Sequence, residues 1–218
     1  VKEYARRINL VDTINHMVET EMDLQPGPIV LGMVMDTLSG RSPLYRLGNF
    51  LEEKDIELLL GEAVSVDQFT DHNIGRGLDK IFETGTQKIF GQLSQNAVNG
   101  FQIKPTGAHY DTTSVSVYGD YDMTDEPFEI TYGHSKDKRP DLKQFLVEML
   151  CVERNIPLFG ATRDGNASDK TLNNELLSTI SKHMANHGLK ENAFVYVADS
   201  AFVTEDNLEK AGTTTKFI

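Results

Sequence analysis

Two aspartates, Asp111 and Asp199, have the residue type and the positions that best suit metal binding or catalysis. Asp111 lies early in the segment 109–118, whose Thr, Ser, Val and Tyr residues are typical of a β-strand. Counting in steps of two places Asp111 on the same strand face as His109 and Thr113. A carboxylate inside a strand is costly unless it is paired or holds a metal. Asp111 is therefore a candidate metal ligand.

Asp199 directly follows the continuous apolar run 194–198, which is typical of a strand buried on both faces of a sheet. Functional groups of open α/β sheets are commonly found where such strands end. If the strands of Asp111 and Asp199 are neighbours, their backbones lie about 4.8 Å apart, and two carboxylates on one face could share a divalent cation. Oxygen ligands suit Mg²⁺ or Mn²⁺. The alternative is that each aspartate simply ends or caps an element.

The elements that must position these aspartates belong to residues 106–218. Strand segments followed by alternating helices and strands imply an α/β fold with helices packed on a mixed sheet. Strand character is found in 109–118, 128–132, 145–152, 158–161, 194–198 and 214–218, with a hairpin turn at 153–157. Helices are predicted from Ser168 or Asp169 to Gly188 and from Thr204 to Lys210.

The apolar residues of 1–105 recur with a different period, which predicts a helical N-terminal domain. Apolar residues recur there at spacings of three and four, and no convincing strand occurs before Pro105. Five or six helices are predicted, over 9–21, 29–38, 43–51, 54–60, 71–85 and 86–99. Asp71 is the expected cap of the fifth stretch, and Gly75 and Gly77 within it are interpreted as helix-packing glycines. The predicted fold class is mixed α/β.

Charge limits how this chain could bind nucleic acid. The 218 residues include 21 Lys and Arg against 33 Asp and Glu, a net charge of −12, which argues against binding DNA by bulk attraction. Any DNA contact must come from a local patch. The densest basic cluster contains Lys136, Lys138 and Arg139, which could contact phosphates without reading sequence. The alternative is a solvated turn before Pro140.

Composition also excludes several classes of protein. The longest apolar stretch, 27–35, stops at Asp36 and is far shorter than the roughly 18 residues that a membrane span needs. The single Cys151, expected in the core, excludes an internal disulfide framework and a cysteine-based zinc site. A signal peptide begins with a charged segment followed by an apolar one, and we find no such pattern in this sequence. A cytoplasmic location is therefore expected.

Four sequence blocks and one helical segment together resemble a known family. The blocks are YDTTSVSVYG at 110–119, YGHSKDKRPDLKQ at 132–144, GNASDKT at 165–171 and VADSAFVTEDNL at 197–208, preceded by LLGEAVSVDQFTDHNIGRGLD at 59–79. In this order they resemble the DDE transposases of bacterial and archaeal insertion sequences. The most similar group has a helical N-terminal domain followed by a ribonuclease-H-like catalytic core, and the resemblance extends over essentially the whole chain.

The resemblance implies a mechanism and two ligands. Two Mg²⁺ (or Mn²⁺) ions would activate a water and then a DNA 3′-hydroxyl for in-line attack on phosphodiesters. Asp111 would be the first acidic ligand and Asp199 the second. It further implies insertion-sequence ends and target DNA as partners, with a homo-oligomer in the active complex.

The third ligand of the family is a Glu in a Tyr-x-x-Arg-x-x-x-Glu pattern, which this chain lacks. Tyr4 and Arg7 have the opening spacing, but Val11 stands in the place of the Glu. We expect the third ligand beyond Ile218, which makes the chain the N-terminal part of a longer protein, inactive as it stands. The alternative is an inactive transposase remnant that binds DNA or a partner subunit at most, with 1–105 as a DNA-binding or dimerisation domain.

Overall fold

The structure, a computed structural model, describes residues 1–61, 64–104, 106–121, 127–135, 138–168, 195–197, 205, 209 and 216–217. The chain divides into two compact units, Val1–Gln102 (the helical unit) and Ile103–Ile218 (the sheet unit). Helices in the first unit precede a sheet in the second, which confirms the predicted mixed α/β class. Among the described residues, no helix combines the length and apolar character that crossing a membrane requires.

The described part of the helical unit forms seven α-helices. They are α1 (Lys2–Arg7), α2 (Leu10–Met17), α3 (Pro26–Ser39), α4 (Leu47–Glu52), α5 (Ile56–Leu60), α6 (Asp71–Thr84) and α7 (Thr86–Gly100). Short 3₁₀ turns at Leu44–Arg46 and Val66–Gln68 precede α4 and α6. The central helix α3 is apolar around most of its circumference and contributes to both core clusters of the unit, which fits a helix enclosed by its neighbours.

Local capping chemistry sets the ends of these helices. At the start of α3 the backbone N–H of Gly27 donates to Asn15 Oδ1 at 2.8 Å, so a side chain from α2 caps the helix. The predicted cap of α6, Asp71, is corrected to the preceding Thr70, whose hydroxyl accepts from the N–H of Asn73 at 3.2 Å. Gly85, with φ of +100°, ends α6 and leads into α7.

The described part of the sheet unit contains one mixed sheet. Its strands are β1 (Gly107–Val117), β2 (Lys143–Val152), β3 (Ile156–Arg163), β4 (Val195–Val197) and β5 (Lys216–Phe217), in the spatial order β3-β2-β1-β4-β5. β1, β2 and β3 are antiparallel neighbours, whereas β4 runs parallel to β1 and β5 parallel to β4. The predicted strands around 109–118 and 194–198 are therefore adjacent and parallel.

The sheet unit departs from one prediction, at 128–132, and its described residues do not include most of two predicted helices. The predicted strand at 128–132 is wrong, since only Thr131 forms a bridge, with Gln144. β3 pairs with that edge of β2 from Leu146 onward, which leaves only residues 143–145 of β2 for the segment to pair with. The helices predicted at 168–188 and 204–210 lie outside the described residues, apart from Ser168, which is not helical, and the helical positions Glu205 and Glu209.

Candidate functional site

Asp111 lies on the exposed face of β1, at the middle of the sheet. Alternate residues of the strand are buried, namely Ala108, Tyr110, Thr112 and Ser114, while His109, Asp111 and Thr113 are exposed. The predicted shared face of these three residues is confirmed. Because the Asp111 side chain is exposed, the cost of burying an unpaired carboxylate does not arise there.

The neighbours of Asp111 come from the strands on either side of β1. On β2 its register partner is Met149, which is 39% exposed. On the other side β4 is in parallel register, with His109 opposite Val197. Asp199 follows Val197 by two residues in sequence and lies outside the described residues. Cys151, expected in the core, is half-buried opposite His109.

The carboxylate of Asp111 is held by its own backbone. Its Oδ1 accepts a hydrogen bond from the N–H of Thr112 at 2.8 Å. Carboxylate oxygens are the ligands that Mg²⁺ and Mn²⁺ prefer, so Asp111 has the donor chemistry of a metal ligand. Among the described residues no group of three His, Cys, Asp or Glu side chains is close enough together to hold a metal. Of the two predicted metal ligands, Asp111 lies within the described residues and Asp199 does not.

A buried carboxylate that sequence reasoning missed lies on the opposite face of the sheet. Glu148 of β2 is 1% exposed and accepts a hydrogen bond from the Tyr110 hydroxyl at 2.6 Å. Arg163 Nε of β3 donates to its other oxygen at 2.7 Å. The three side chains, the Glu148 network, connect the three antiparallel strands. The signal in the sequence was a Glu in the middle of the apolar strand FLVEMLCV, followed on the next strand by a single cation.

Glu153, at the turn between β2 and β3, holds the start of β1. One of its carboxylate oxygens accepts from the N–H of Thr106 at 2.7 Å and of Gly107 at 2.8 Å, and from the Thr106 hydroxyl. Burial raises the pKa of Glu153, but these hydrogen bonds together outweigh burial and hold the pKa below its ordinary value. The contacts anchor β1 four residues before Asp111.

The basic cluster is only partly described, since Lys136 lies outside the described residues. Lys138 is exposed, in a left-handed backbone conformation with φ of +58°. Arg139 is paired with Asp141 through two hydrogen bonds, of 2.8 Å and 2.7 Å, and Nη1 donates to the Tyr118 hydroxyl at 3.3 Å. Hydrogen bonding to Asp141 raises the pKa of Arg139. Any phosphate at Arg139 would therefore compete with Asp141.

Comparison with known proteins adds one finding for the helical unit. Residues 1–95 match a family described as a domain of unknown function, DUF4277. The match covers less than half of the chain and falls within Val1–Gln102. No curated protein and no solved structure matched the chain.

Proposed function

We propose that this chain carries part of the catalytic core of a DDE-type transposase, which cleaves DNA and transfers strands by metal-dependent phosphodiester chemistry. Asp111 and Asp199 are the proposed metal ligands, with Mg²⁺ or Mn²⁺ as the cofactor. DNA is the proposed substrate, and copies of the chain assemble on it. Lys138 and Arg139, with Lys136, are proposed phosphate contacts.

The parallel register of β1 and β4 carries this proposal. His109 is opposite Val197, and parallel strands are counted in the same direction. Two residues further along the sequence from His109 and Val197 are Asp111 and Asp199. Because side chains alternate with a period of two, this step keeps each residue on the face of its starting residue. A continued register therefore brings both carboxylates together on the exposed face that carries Asp111.

The arrangement of the sheet supports the same proposal. Three antiparallel strands, β1 to β3, are extended at the free edge of β1 by the parallel strands β4 and β5. This order and these directions fit a ribonuclease-H-like core, in which the first acidic ligand lies on the central strand. β1 is that central strand here, with Asp111 in its first half.

The proposed chemistry divides between the ions and the protein. Bound divalent ions would neutralise charge on the attacking and leaving oxygens of the phosphodiester. Asp111 would hold an ion through a carboxylate that the Thr112 N–H already orients. Anchoring of β1 by Glu153 and by the Glu148 network would keep that carboxylate on the exposed face. A third acidic ligand has to come from outside the described residues.

Calorimetric titration with Mn²⁺ tests the site. We expect weak binding by the parent, because Asp111 and Asp199 are only two of the three acidic ligands that the resemblance implies, and loss of the heat in Asp111→Asn and in Asp199→Asn. Glu129→Gln is the matched control, since Glu129 is an exposed carboxylate of the same unit away from β1, and its titration should equal that of the parent. If the double Asn variant bound Mn²⁺ as the parent does, these aspartates would not be the site.

The alternative function, an inactive remnant that at most binds DNA or a partner, makes a different prediction. If the gene encodes a Tyr-x-x-Arg-x-x-x-Glu segment downstream of residue 218, the longer chain should nick DNA in Mn²⁺ and lose that activity in Asp111→Asn. If it encodes none, neither chain should nick DNA and the remnant reading is favoured. Sequencing the downstream DNA decides which experiment applies.

A further inference from the structure

Tyr118 has an exposure that packing in the sheet unit does not explain. It directly follows β1 and is 75% exposed, the highest value among the large apolar and aromatic side chains that the structure describes. A tyrosine ring left open to water at the end of a central strand contributes little to the core. Its open ring face is the kind of surface on which a planar group can stack.

Arg139 holds a fixed position beside this ring. Its guanidinium carbon is 5.8 Å from the centre of the Tyr118 ring, and Nη1 is 3.3 Å from the hydroxyl. Two hydrogen bonds that Arg139 donates to the Asp141 carboxylate orient the guanidinium from its other side. Tyr118, Arg139 and Asp141 therefore form an ordered surface group, in which a planar aromatic ring and a planar cation lie next to each other.

Further aromatic and basic side chains lie at the same end of the sheet. Thr131 pairs with Gln144 of β2, so the neighbouring Tyr132, which is 58% exposed, lies across the start of β2 from β1. Lys143 is the first residue of β2 and pairs with Val117, the residue before Tyr118. Surfaces that bind single-stranded nucleic acid typically combine aromatic rings with cationic side chains.

We propose that Tyr118 and Arg139 form a stacking site for an unpaired base of single-stranded DNA. This inference rests on the proposed function for the choice of DNA as ligand. Residues 118–143 contain seven Asp and Glu against four Lys and Arg, so charge attraction to a duplex is weak there. Stacking on exposed rings does not depend on net charge and requires bases that are unpaired, which is why single-stranded DNA is the ligand that fits.

Fluorescence anisotropy with a labelled 15-nucleotide oligo(dT), in EDTA so that no metal contributes, tests the site. Tyr118→Ala should weaken binding about 5-fold or more, the usual effect of removing one stacking ring. Tyr118→Phe keeps the ring and should stay within about twofold of the parent. Asp141→Asn frees Arg139 for phosphate, so it should tighten binding and steepen its salt dependence.

Tyr45→Ala is the matched control. Tyr45 belongs to the helical unit, is 60% exposed and has the Arg46 guanidinium carbon 5.4 Å from its ring centre, but no carboxylate among the described residues pairs with that arginine. It should bind the oligonucleotide as the parent does. The inference is overturned if Tyr118→Ala binds within twofold of the parent, if Tyr118→Phe loses as much as Tyr118→Ala, or if the parent prefers a duplex of equal length.

The result separates this inference from the proposed metal chemistry. Asp111→Asn should lose the Mn²⁺ heat and keep the oligonucleotide affinity, since binding is measured without metal. Loss of the oligonucleotide result with an intact Mn²⁺ titration would overturn the stacking site alone. Self-association that Tyr118→Ala abolishes, without DNA binding by the parent, would identify the surface as a protein contact and overturn the inference too.

Discussion

The helical unit and the sheet unit bury different kinds of side chain. In the described part of the helical unit the buried residues are almost all apolar, and Asp36 and Ser94 are the polar exceptions. The buried face of the sheet instead includes Thr112, Ser114, Gln144 and Glu148. Because a buried polar group is costly unless it is hydrogen-bonded, stability of the sheet depends on partners, whereas stability of the helices depends on shape.

The polar face of the sheet has a consequence for the candidate site. Tyr110 and Asp111 are successive residues of β1 and point to opposite faces. A shift of register by one residue would exchange those faces along the whole strand. The hydrogen bond from Tyr110 to Glu148 specifies the buried face, so the same contact keeps Asp111 on the exposed face. Apolar side chains alone would specify this register less strictly.

The largest expected effect is on the Glu148 network. Glu148→Ala removes the partner of Tyr110 and of Arg163, and we expect it to lower the free energy of unfolding by about 3 kcal/mol, as for other buried pairs that lose one member. Glu129→Ala, at an exposed carboxylate of the same unit, should cost less than about 0.5 kcal/mol. Urea denaturation measures both. Equal costs would show that the sheet does not depend on its polar partners.

Shape dependence of the helical unit is tested at Gly27. A Cβ there would lie 2.6 Å from both the Val11 carbonyl oxygen and Asn15 Oδ1. Gly27→Ala should therefore cost about 1–3 kcal/mol, the usual range for overpacking. Gly91→Ala is the control, because nothing lies within 4 Å of its added Cβ. Hydrogen exchange should show lost protection within Val1–Gln102 for Gly27→Ala, and an unchanged α3 would contradict the packing argument.

A smaller effect is expected in the pH dependence of the sheet unit. The pKa of Glu153 is below its ordinary value when the chain is folded, so its carboxylate adds stability above that ordinary value of 4.5. This stability is lost as the pH falls from about 4.5 through the folded pKa. Glu153→Gln should be less stable than the parent at pH 7, and the difference should shrink on acidification. Thermal melts from pH 7 to pH 3 measure it, and a constant difference would contradict the assignment.

Periodicity predicted the elements that have a clear apolar pattern. β1, β2 and β3 were predicted to within a few residues, as was the long helix α7, because their alternation or stripe is set by one buried face. α1 was missed because Ala5 is its only buried residue, so its sequence has no stripe. The segment 128–132 has strand-like residues, but β3 already pairs with most of that edge of β2, and sequence does not reveal edges.

The candidate site was predictable only in part, for a similar reason. The face of Asp111 follows from counting in steps of two along one strand, and this was confirmed. The ion pair of Glu148 with Arg163 joins two strands through a register that has a shift between Leu150 and Cys151. Pairing of Arg139 with Asp141 depends on the conformation of a turn. Contacts of this kind depend on tertiary geometry, which residue spacing alone does not contain.

The smallest expected effect distinguishes two glycines of α6 that were both interpreted as packing glycines. A Cβ at Gly77 would lie 2.5 Å from Ile29 Cδ1, and Ile29 is fully buried, so that atom has little room to move. At Gly75 nothing lies within 4 Å, so that interpretation is wrong for Gly75. Alanine is favoured over glycine inside a helix by about 0.5–1 kcal/mol, so Gly75→Ala should stabilise the protein by that amount.

Gly77→Ala receives the same gain in helix propensity, but the contact with Ile29 should outweigh it and give a net loss of about 1 kcal/mol. The two substitutions are the same change, Gly to Ala, at positions two residues apart in one helix. The difference between their stabilities therefore separates the effect of packing from that of helix propensity. Urea midpoints measured side by side decide it. If Gly77→Ala were as stabilising as Gly75→Ala, α3 and α6 would tolerate a wider approach, and the helical unit would depend less on close shape than its apolar core implies.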